Sequence, residues 1–319
     1  MLNDTELKDI ETTAVEIARE AGQLLLKYFE GPLQVDYKTA NNRNPVTDAD
    51  KAADEFLRAE INRRYPNHGV LTEESEADDT EHPEIVWVID PLDGTSNFLN
   101  GIPIFCVLVA VLERGKPVVG AIFLPDVHRS GGRVMHSRAG GGAFDEDTPL
   151  SLESKEEPRR RMSAWPSYFL RMFAFKSGLR RRLGDVRSIG SAGYELALAG
   201  RGVFDYVVFS GLYCWDMAAG LAIVTEAGGS ALQYDRKSRR WMPFDRFTVP
   251  QAGEVPTVAE LGKWRGVIVV GKTDAVEFIT EGIIIPRIFW WRIRTRIEAW
   301  FAKLLRRSQT QGQGRSRRE

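Results

Sequence analysis

The run Ile85-Val86-Trp87-Val88-Ile89 has the length and β-branched content of a buried strand, and it leads directly into Asp90-Pro91-Leu92-Asp93-Gly94-Thr95-Ser96-Asn97-Phe98. This strand therefore delivers two carboxylates, a glycine and a hydroxyl at its end. Pro91 removes a backbone donor, so ladder pairing is expected to stop there and the chain to turn, bringing Asp93 back towards Asp90. Two acidic oxygens on a tight turn suit a hard cation. Mg²⁺ takes oxygen ligands in octahedral geometry and keeps waters that a phosphate can displace. Gly94 lets backbone approach a ligand closely, and the N–H groups from Gly94 to Ser96 can open a short helix whose N-terminus attracts an anion. Taken alone, the segment is equally readable as a turn with a capping aspartate.

Three distant acidic segments shift that balance. Thr72-Glu73-Glu74-Ser75 follows the apolar pair Val70-Leu71, and Trp215-Asp216-Met217-Ala218-Ala219-Gly220 opens an apolar helix that ends at Gly228-Gly229. Val46-Thr47-Asp48-Ala49-Asp50-Lys51 opens a helix running to about Tyr65, with Pro66 as its stop and Asp48 as its expected cap. Strand ends and helix starts point out of a packed core, so carboxylates there can meet in one site.

The rest of the chain reads as α+β. A first helix is expected from about Asp4 to Phe29, with Leu7, Ile10, Ala14, Ile17, Ala21, Leu24 and Tyr28 at helical spacing and Gly31-Pro32 at its end. Phe105–Leu112 and Pro117–Phe123 read as strands joined in a hairpin around Arg114-Gly115. Gly131 to Gly142 reads as a glycine-rich connection. The charged stretch Glu153 to Arg161 is the expected boundary between an N-terminal half (1–150) and a C-terminal half (151–282). The second half is expected to hold a helix near Tyr194–Ala199, a strand at Val203–Phe209, the helix from Trp215 and a strand at Val267–Val270.

At 319 residues, with 43% hydrophobic and 27% charged side chains, the chain can bury a substantial core. No apolar run approaches the ~20 residues that span a bilayer. The N-terminus is acidic and lacks signal-peptide character, and Cys106 and Cys214 form no CxxC pair. A reducing, cytoplasmic setting is the expectation. His68, His82, His128 and His136 lie outside every acidic segment, against a zinc or histidine-nucleophile enzyme.

Asp-Pro-Leu-Asp-Gly-Thr at 90–95, Glu73-Glu74-Ser75 and Val46-Thr47-Asp48-Ala49-Asp50 together resemble the inositol monophosphatase family. So do Arg187-Ser188-Ile189-Gly190-Ser191-Ala192, Gly140-Gly141-Gly142-Ala143-Phe144, and Trp215-Asp216-Met217-Ala218-Ala219-Gly220 with Thr225-Glu226-Ala227-Gly228-Gly229. The likeness spans about residues 5 to 280. It implies a layered α/β/α/β/α sandwich, Mg²⁺-dependent hydrolysis of a small-molecule phosphate monoester, two or three Mg²⁺ ions, inhibition by Li⁺, and a homodimer.

Carried onto matching positions, the family's roles give Glu73, Asp90 and the Leu92 carbonyl to a first Mg²⁺, with Asp90 bridging to a second held by Asp93 and Asp216. Asp50 and Thr95 would orient the attacking water, with Glu73 counted alongside them as catalytic. The substrate would meet Asp93, Gly94, Thr95, Ser191, Ala192, Phe209 and Asp216. Glu74 and Lys38 stand at the margin. Asp50 also reads as a charge favoured by a helix N-terminus, and Asp216 as a cap.

Two departures bear on function. Seven residues before Asp216, animal members carry a glutamate that binds an inositol hydroxyl; here that position is Phe209, or Ser210 if the register slips by one. A ring cannot accept such a bond, so selectivity for a polyol is expected to be weak, and histidinol, sugar and nucleotide phosphates stay open as substrates. The second departure is the segment 283–319, which holds ten Arg or Lys against Glu298 and Glu319 within a chain of net charge −1. From Pro286 to Arg307 it reads as a basic amphipathic helix, with Phe289, Ile293, Ile297, Trp300 and Leu304 on one face. An anionic membrane surface is its expected partner. Docking on protein is the alternative, and nucleic acid fits the aliphatic stripe poorly. A family-derived protein that binds through this tail with little catalysis is the other class of reading.

Overall fold

The computed structural model describes residues 1–29, 31, 35–37, 45–74, 82–126, 129–152, 162–247 and 255–285. Lys38, His128, the charged boundary stretch and the proposed helix at 286–307 lie outside them. The described chain divides into two compact units, Met1–Pro166 with Leu183–Thr280, and Ser167–Arg182 with the described residues from Glu281.

The larger unit is built on two sheets. The first has seven strands in sequential order: β1 (Gly69–Thr72), β2 (Ile85–Asp93), β3 (Cys106–Glu113), β4 (Lys116–Asp126), β5 (Arg129–Arg138), β6 (Gly142–Asp145) and β7 (Thr148–Leu150). Only the β1–β2 pair is parallel. Arg114 and Gly115 both take positive φ, 50° and 82°, as a two-residue hairpin between β3 and β4 requires. The second sheet, of six strands, uses β8 (Met162–Ala164), β9 (Asp185–Arg187), β10 (Tyr206–Ser210), β11 (Ser230–Asp235), β12 (Arg240–Pro243) and β13 (Val267–Gly271), in the order β9-β8-β10-β13-β11-β12.

Helices α1 (Asp4–Phe29) and α2 (Asp48–Arg64) cover one face of the seven-stranded sheet. Their apolar stripes, including Ile10, Ile17, Leu25, Leu57 and Ile61, pack with Trp87, Ile89, Val107, Val109 and Phe123. The short helix α3 (Thr95–Leu99) follows β2 directly. Helices α4 (Ala192–Gly200) and α5 (Cys214–Glu226) fill the space between the two sheets, where Leu196, Met217 and Ile223 meet Val88 and Leu108 from one side and Val207, Phe209 and Ile268 from the other. The result is the layered α+β architecture expected.

Three expectations need correction. Pro91 does not end β2: the strand runs to Asp93 with a shift of register, so that Asp90 pairs with Leu108 and Asp93 with Cys106. Three steps on β2 oppose two on β3. That is a bulge, which re-aims side chains without leaving the sheet. The glycine-rich stretch from Gly131 is strand β5, not a connection. Gly132 is glycine because of its φ of 67°, and because a Cβ there would fall 2.4 Å from the Phe123 ring. Finally, the chain from 203 to 205 turns before the strand begins at Tyr206.

In the smaller unit, Ala174–Phe175 pairs antiparallel with Ile283–Ile284, and the Lys176 N–H donates to the Gly282 carbonyl at 2.9 Å. Residues 283 and 284 are thus part of a strand pair. The basic segment proper begins beyond 285.

Candidate metal and phosphate site

The bulge in β2 gathers the acidic segments. Oxygens of Asp90, Asp93 and Asp216 all lie within 4.8 Å of one another. Among the described residues this is the one such group of three potential ligands, and no histidine joins it. Asp90 is buried in β2, with its Oδ1 accepting the Leu92 N–H at 3.0 Å. Asp216 lies in the first turn of α5, where Oδ2 accepts the Tyr213 N–H at 2.6 Å, so it closes the helix start while facing the other two carboxylates. The capping reading and the ligand reading of Asp216 are therefore compatible.

Asp93 is the most constrained of the three. Its Oδ2 accepts from Ser191 Oγ at 2.6 Å, from the Gly193 N–H at 2.6 Å and from Cys106 Sγ at 3.4 Å, while Oδ1 carries none of these bonds. Ser191 is also the N-cap of α4, accepting from the Tyr194 N–H. Ala192 opens the same helix. A single oxygen of Asp93 thus fixes the α4 start against β2.

Crowding shows in the electrostatics. Burial, with the charges of Glu73, Asp93 and Asp216 added, holds the Asp90 carboxyl well above its usual range. Asp216 is pushed up to about 8 by burial and then by Asp93 and Glu73. Asp93 is raised by burial too, although its donors oppose the shift. Carboxylates drawn this close repel one another unless a cation sits between them. The donor set is oxygen only, and a dication there would reverse the local pKa logic. The residues fit Mg²⁺. Glu73 lies just past β1 with an exposed side chain, and its charge acts on both Asp90 and Asp216, which puts it at the rim of the cluster.

Thr95 and Asp50 form the neighbouring polar pair. Thr95 Oγ1 donates towards Asp50 Oδ1 at 3.4 Å and the Leu92 carbonyl at 3.1 Å. The N-cap of α2 is Thr47, not Asp48. Thr47 donates both its N–H, at 2.8 Å, and its hydroxyl to Asp50 Oδ2, while the Asp50 N–H bonds back to Thr47 Oγ1 at 3.2 Å. Asp50 is 3% exposed and burial lifts its pKa to about 6. Glu74 adds its charge to that shift without reaching the three-carboxylate cluster. Gly94 has φ of 96°, and a Cβ on it would stand 2.9 Å from the Ile104 carbonyl, so no other residue fits there.

Phe209 is 5% exposed and packs in the core between the sheets, with Ser210 buried beside it. Four contributors escape sequence reasoning. Asn97 Nδ2 donates to the carbonyls of Ile104 and Ile189, both at 2.8 Å, tying α3 to the loop before Ser191. Glu195, buried and raised to about 7 chiefly by burial, accepts the Ile189 N–H at 2.9 Å and holds that loop from the other side. Cys106 and the Gly193 N–H complete the set around Asp93. Asn97 lies inside the quoted segment from Asp90 to Phe98, and Glu195 inside the helix expected near Tyr194–Ala199; nothing local marks Cys106.

The sequence and the fold both have known relatives. The model of the inositol monophosphatase family matches residues 6–261. A protein named Nus factor SuhB from Pasteurella multocida is 34% identical over 230 residues, covering 70% of this chain and 84% of the relative. An inositol-1-monophosphatase from Mesorhizobium japonicum is 30% identical over 231 residues, covering 69% and 84%. The crystal structure of extragenic suppressor protein suhB from Bartonella henselae superposes with a TM-score of 0.65 at 26% identity, over 85% of this chain and 96% of that one. Fold, carboxylate cluster and sequence match converge: the chain belongs to the inositol monophosphatase family.

Proposed function

We propose that the protein is a Mg²⁺-dependent hydrolase of small phosphate monoesters. Family membership supports a phosphatase, and the observation that carries the finer reading is the convergence of Asp90, Asp93 and Asp216 within 4.8 Å beside the Thr95–Asp50 pair. Glu73, Asp90 and the Leu92 carbonyl would hold one ion, and Asp90, Asp93 and Asp216 a second. Bound there, Mg²⁺ neutralises charge on the phosphoryl oxygens and makes a coordinated water more acidic.

The chain's own groups do the rest. Asp50, lifted to about 6, is poised to accept a proton near neutral pH, and the Thr95 hydroxyl, with Asp50 and the Leu92 carbonyl as its acceptors, would offer its lone pairs to the attacking water. Thr47 keeps Asp50 in that orientation through two donated bonds. The Gly94 and Thr95 N–H groups would hold phosphate, and Ser191 and Ala192 would meet the alcohol portion. Because Asp93 anchors both β2 and the α4 start, it links the metal site to the substrate loop and limits the spread of poses. Phe209, buried in the core, supplies no acceptor for a polyol hydroxyl.

Some relatives carry the name Nus factor, which by itself says nothing of catalysis. The complete carboxylate set favours an enzyme over a protein that only binds. The basic segment 286–307, taken as lying on an anionic membrane surface, and a homodimer belong to the same proposal; no helix among the described residues is long and apolar enough to cross a membrane. The test of the central reading is Mg²⁺-dependent release of inorganic phosphate from a panel of monoesters. Release that is equal in EDTA and in Mg²⁺ would refute it.

A further inference from the structure

Tyr213, which gives its N–H to Asp216, sits in a stack of three. Its ring lies against Trp215, with centroids 4.4 Å apart and planes at 14°, and the Arg265 guanidinium covers its other face. Arg265 reaches this place through strand pairing. The end of β10 is hydrogen-bonded to the start of β13, with Ser210 opposite Val267, and the Gly211 N–H donates to the Gly266 carbonyl at 2.9 Å. The residue just before that pairing therefore stands beside the turn that leads from Phe209 to Asp216.

The guanidinium is held but not used up. Nη1 donates to the carbonyls of Gly262, at 3.0 Å, and Trp264, which fixes the plane over Tyr213. Nε and Nη2 have no partner among the described residues, and the side chain is exposed. Yet its charge is felt by Asp216. A cation thus stands on this side of the site, where the family resemblance leads one to expect a carboxylate. An acceptor carboxylate is missing, Phe209 is turned into the core, and a fixed planar cation stands at the edge.

We infer that Arg265 recognises a second anionic group on the substrate, so that the preferred ester is one whose alcohol portion carries a carboxylate or another phosphate. This rests on the hydrolase reading above. A guanidinium whose plane is already set by stacking and by one anchored nitrogen offers its remaining N–H donors to such a group at little entropic cost.

The test uses matched pairs of esters with full-length protein and Mg²⁺. 3-Phosphoglycerate and glycerol 3-phosphate differ only by a carboxylate in place of a hydroxymethyl. Fructose 1,6-bisphosphate and fructose 1-phosphate give a longer span. The expected result is that at least one anionic member exceeds its neutral partner by about tenfold or more in kcat/KM, the scale of one good charge-assisted contact. That ratio should collapse in Arg265→Gln and persist in part in Arg265→Lys. Equilibrium titration of the same pair in an Asp50→Asn background should show the same ratio in Kd. Turnover with no anionic preference in either pair, or a preference that survives Arg265→Gln, overturns the inference alone. If none of the four esters is hydrolysed while other monoesters of the panel are, this inference alone fails; if no monoester is hydrolysed, the hydrolase reading fails and takes this inference with it.

Discussion

Replacing Asp216 by Asn should make the metal-free protein more stable while removing its activity. The carboxyl is pushed up to about 8 from an ordinary 3.8 by burial and by its acidic neighbours. A carboxyl whose folded pKa lies above its unfolded one binds more protons when folded, so stability falls as pH rises between those two values and the full penalty is present above about 8. Four pKa units correspond to ~6 kcal/mol. Solvent contact with a half-buried group screens part of this, and about 2–4 kcal/mol is the expected gain on neutralising it at pH 8. Asn keeps the shape and can still accept the Tyr213 N–H. Urea unfolding in EDTA at pH 8 and pH 4.5 reads the effect directly: the variant should exceed wild type at pH 8 and approach it at pH 4.5. Mg²⁺ should then close most or all of the gap, since an ion at a hundred times its Kd stabilises wild type by about 2.7 kcal/mol and the variant far less. Equal stability in EDTA at pH 8, or equal stabilisation by Mg²⁺, would show that these carboxylates are not the mutually repelling cluster described.

Thr95→Ala and Asp50→Asn should each lower kcat by ~10²–10⁴ with smaller changes in KM, the usual cost of losing general-base assistance, as read by steady-state kinetics. Because Asp50 must be ionised to act and sits near 6 without a metal, wild-type kcat/KM should rise with pH through a limb at or below about 6, and Asp50→Asn should lack it. Phe209→Glu should not create selectivity for inositol phosphate. It places a carboxylate in the core between the sheets and should cost about 3 kcal/mol or more, visible as a lowered Tm. Protein truncated after Ile285, which retains the Ile283–Ile284 strand pair, should lose co-sedimentation with anionic vesicles at low salt; sedimentation equal to full length would remove the membrane reading.

Much of the architecture is legible because it rests on long local patterns. The apolar stripe from Leu7 to Tyr28 is enough to place α1, and Arg114-Gly115 supplies the positive φ values of its hairpin. What escaped depends on partners distant in sequence. Pro91 reads locally as a strand end, but β3 accommodates it through a register shift, and that bulge is what lets Asp90 and Asp93 face one site. Gly132 reads as a loop residue because its role is to let β5 pass the Phe123 ring. The acidic residues of the site stand in short motifs at element ends and can be found one by one. Arg265 has no motif, and only the pairing of β10 with β13 brings it beside Tyr213.

The most direct measurement is phosphate release from a monoester panel by wild type, Asp93→Asn and Asp216→Asn, each in EDTA and across a Mg²⁺ titration. Wild type should turn over only with Mg²⁺, and both variants should lose at least a hundredfold in kcat/KM, ~2.7 kcal/mol of transition-state stabilisation. Undiminished turnover by both variants at low Mg²⁺ would contradict the metal-site reading.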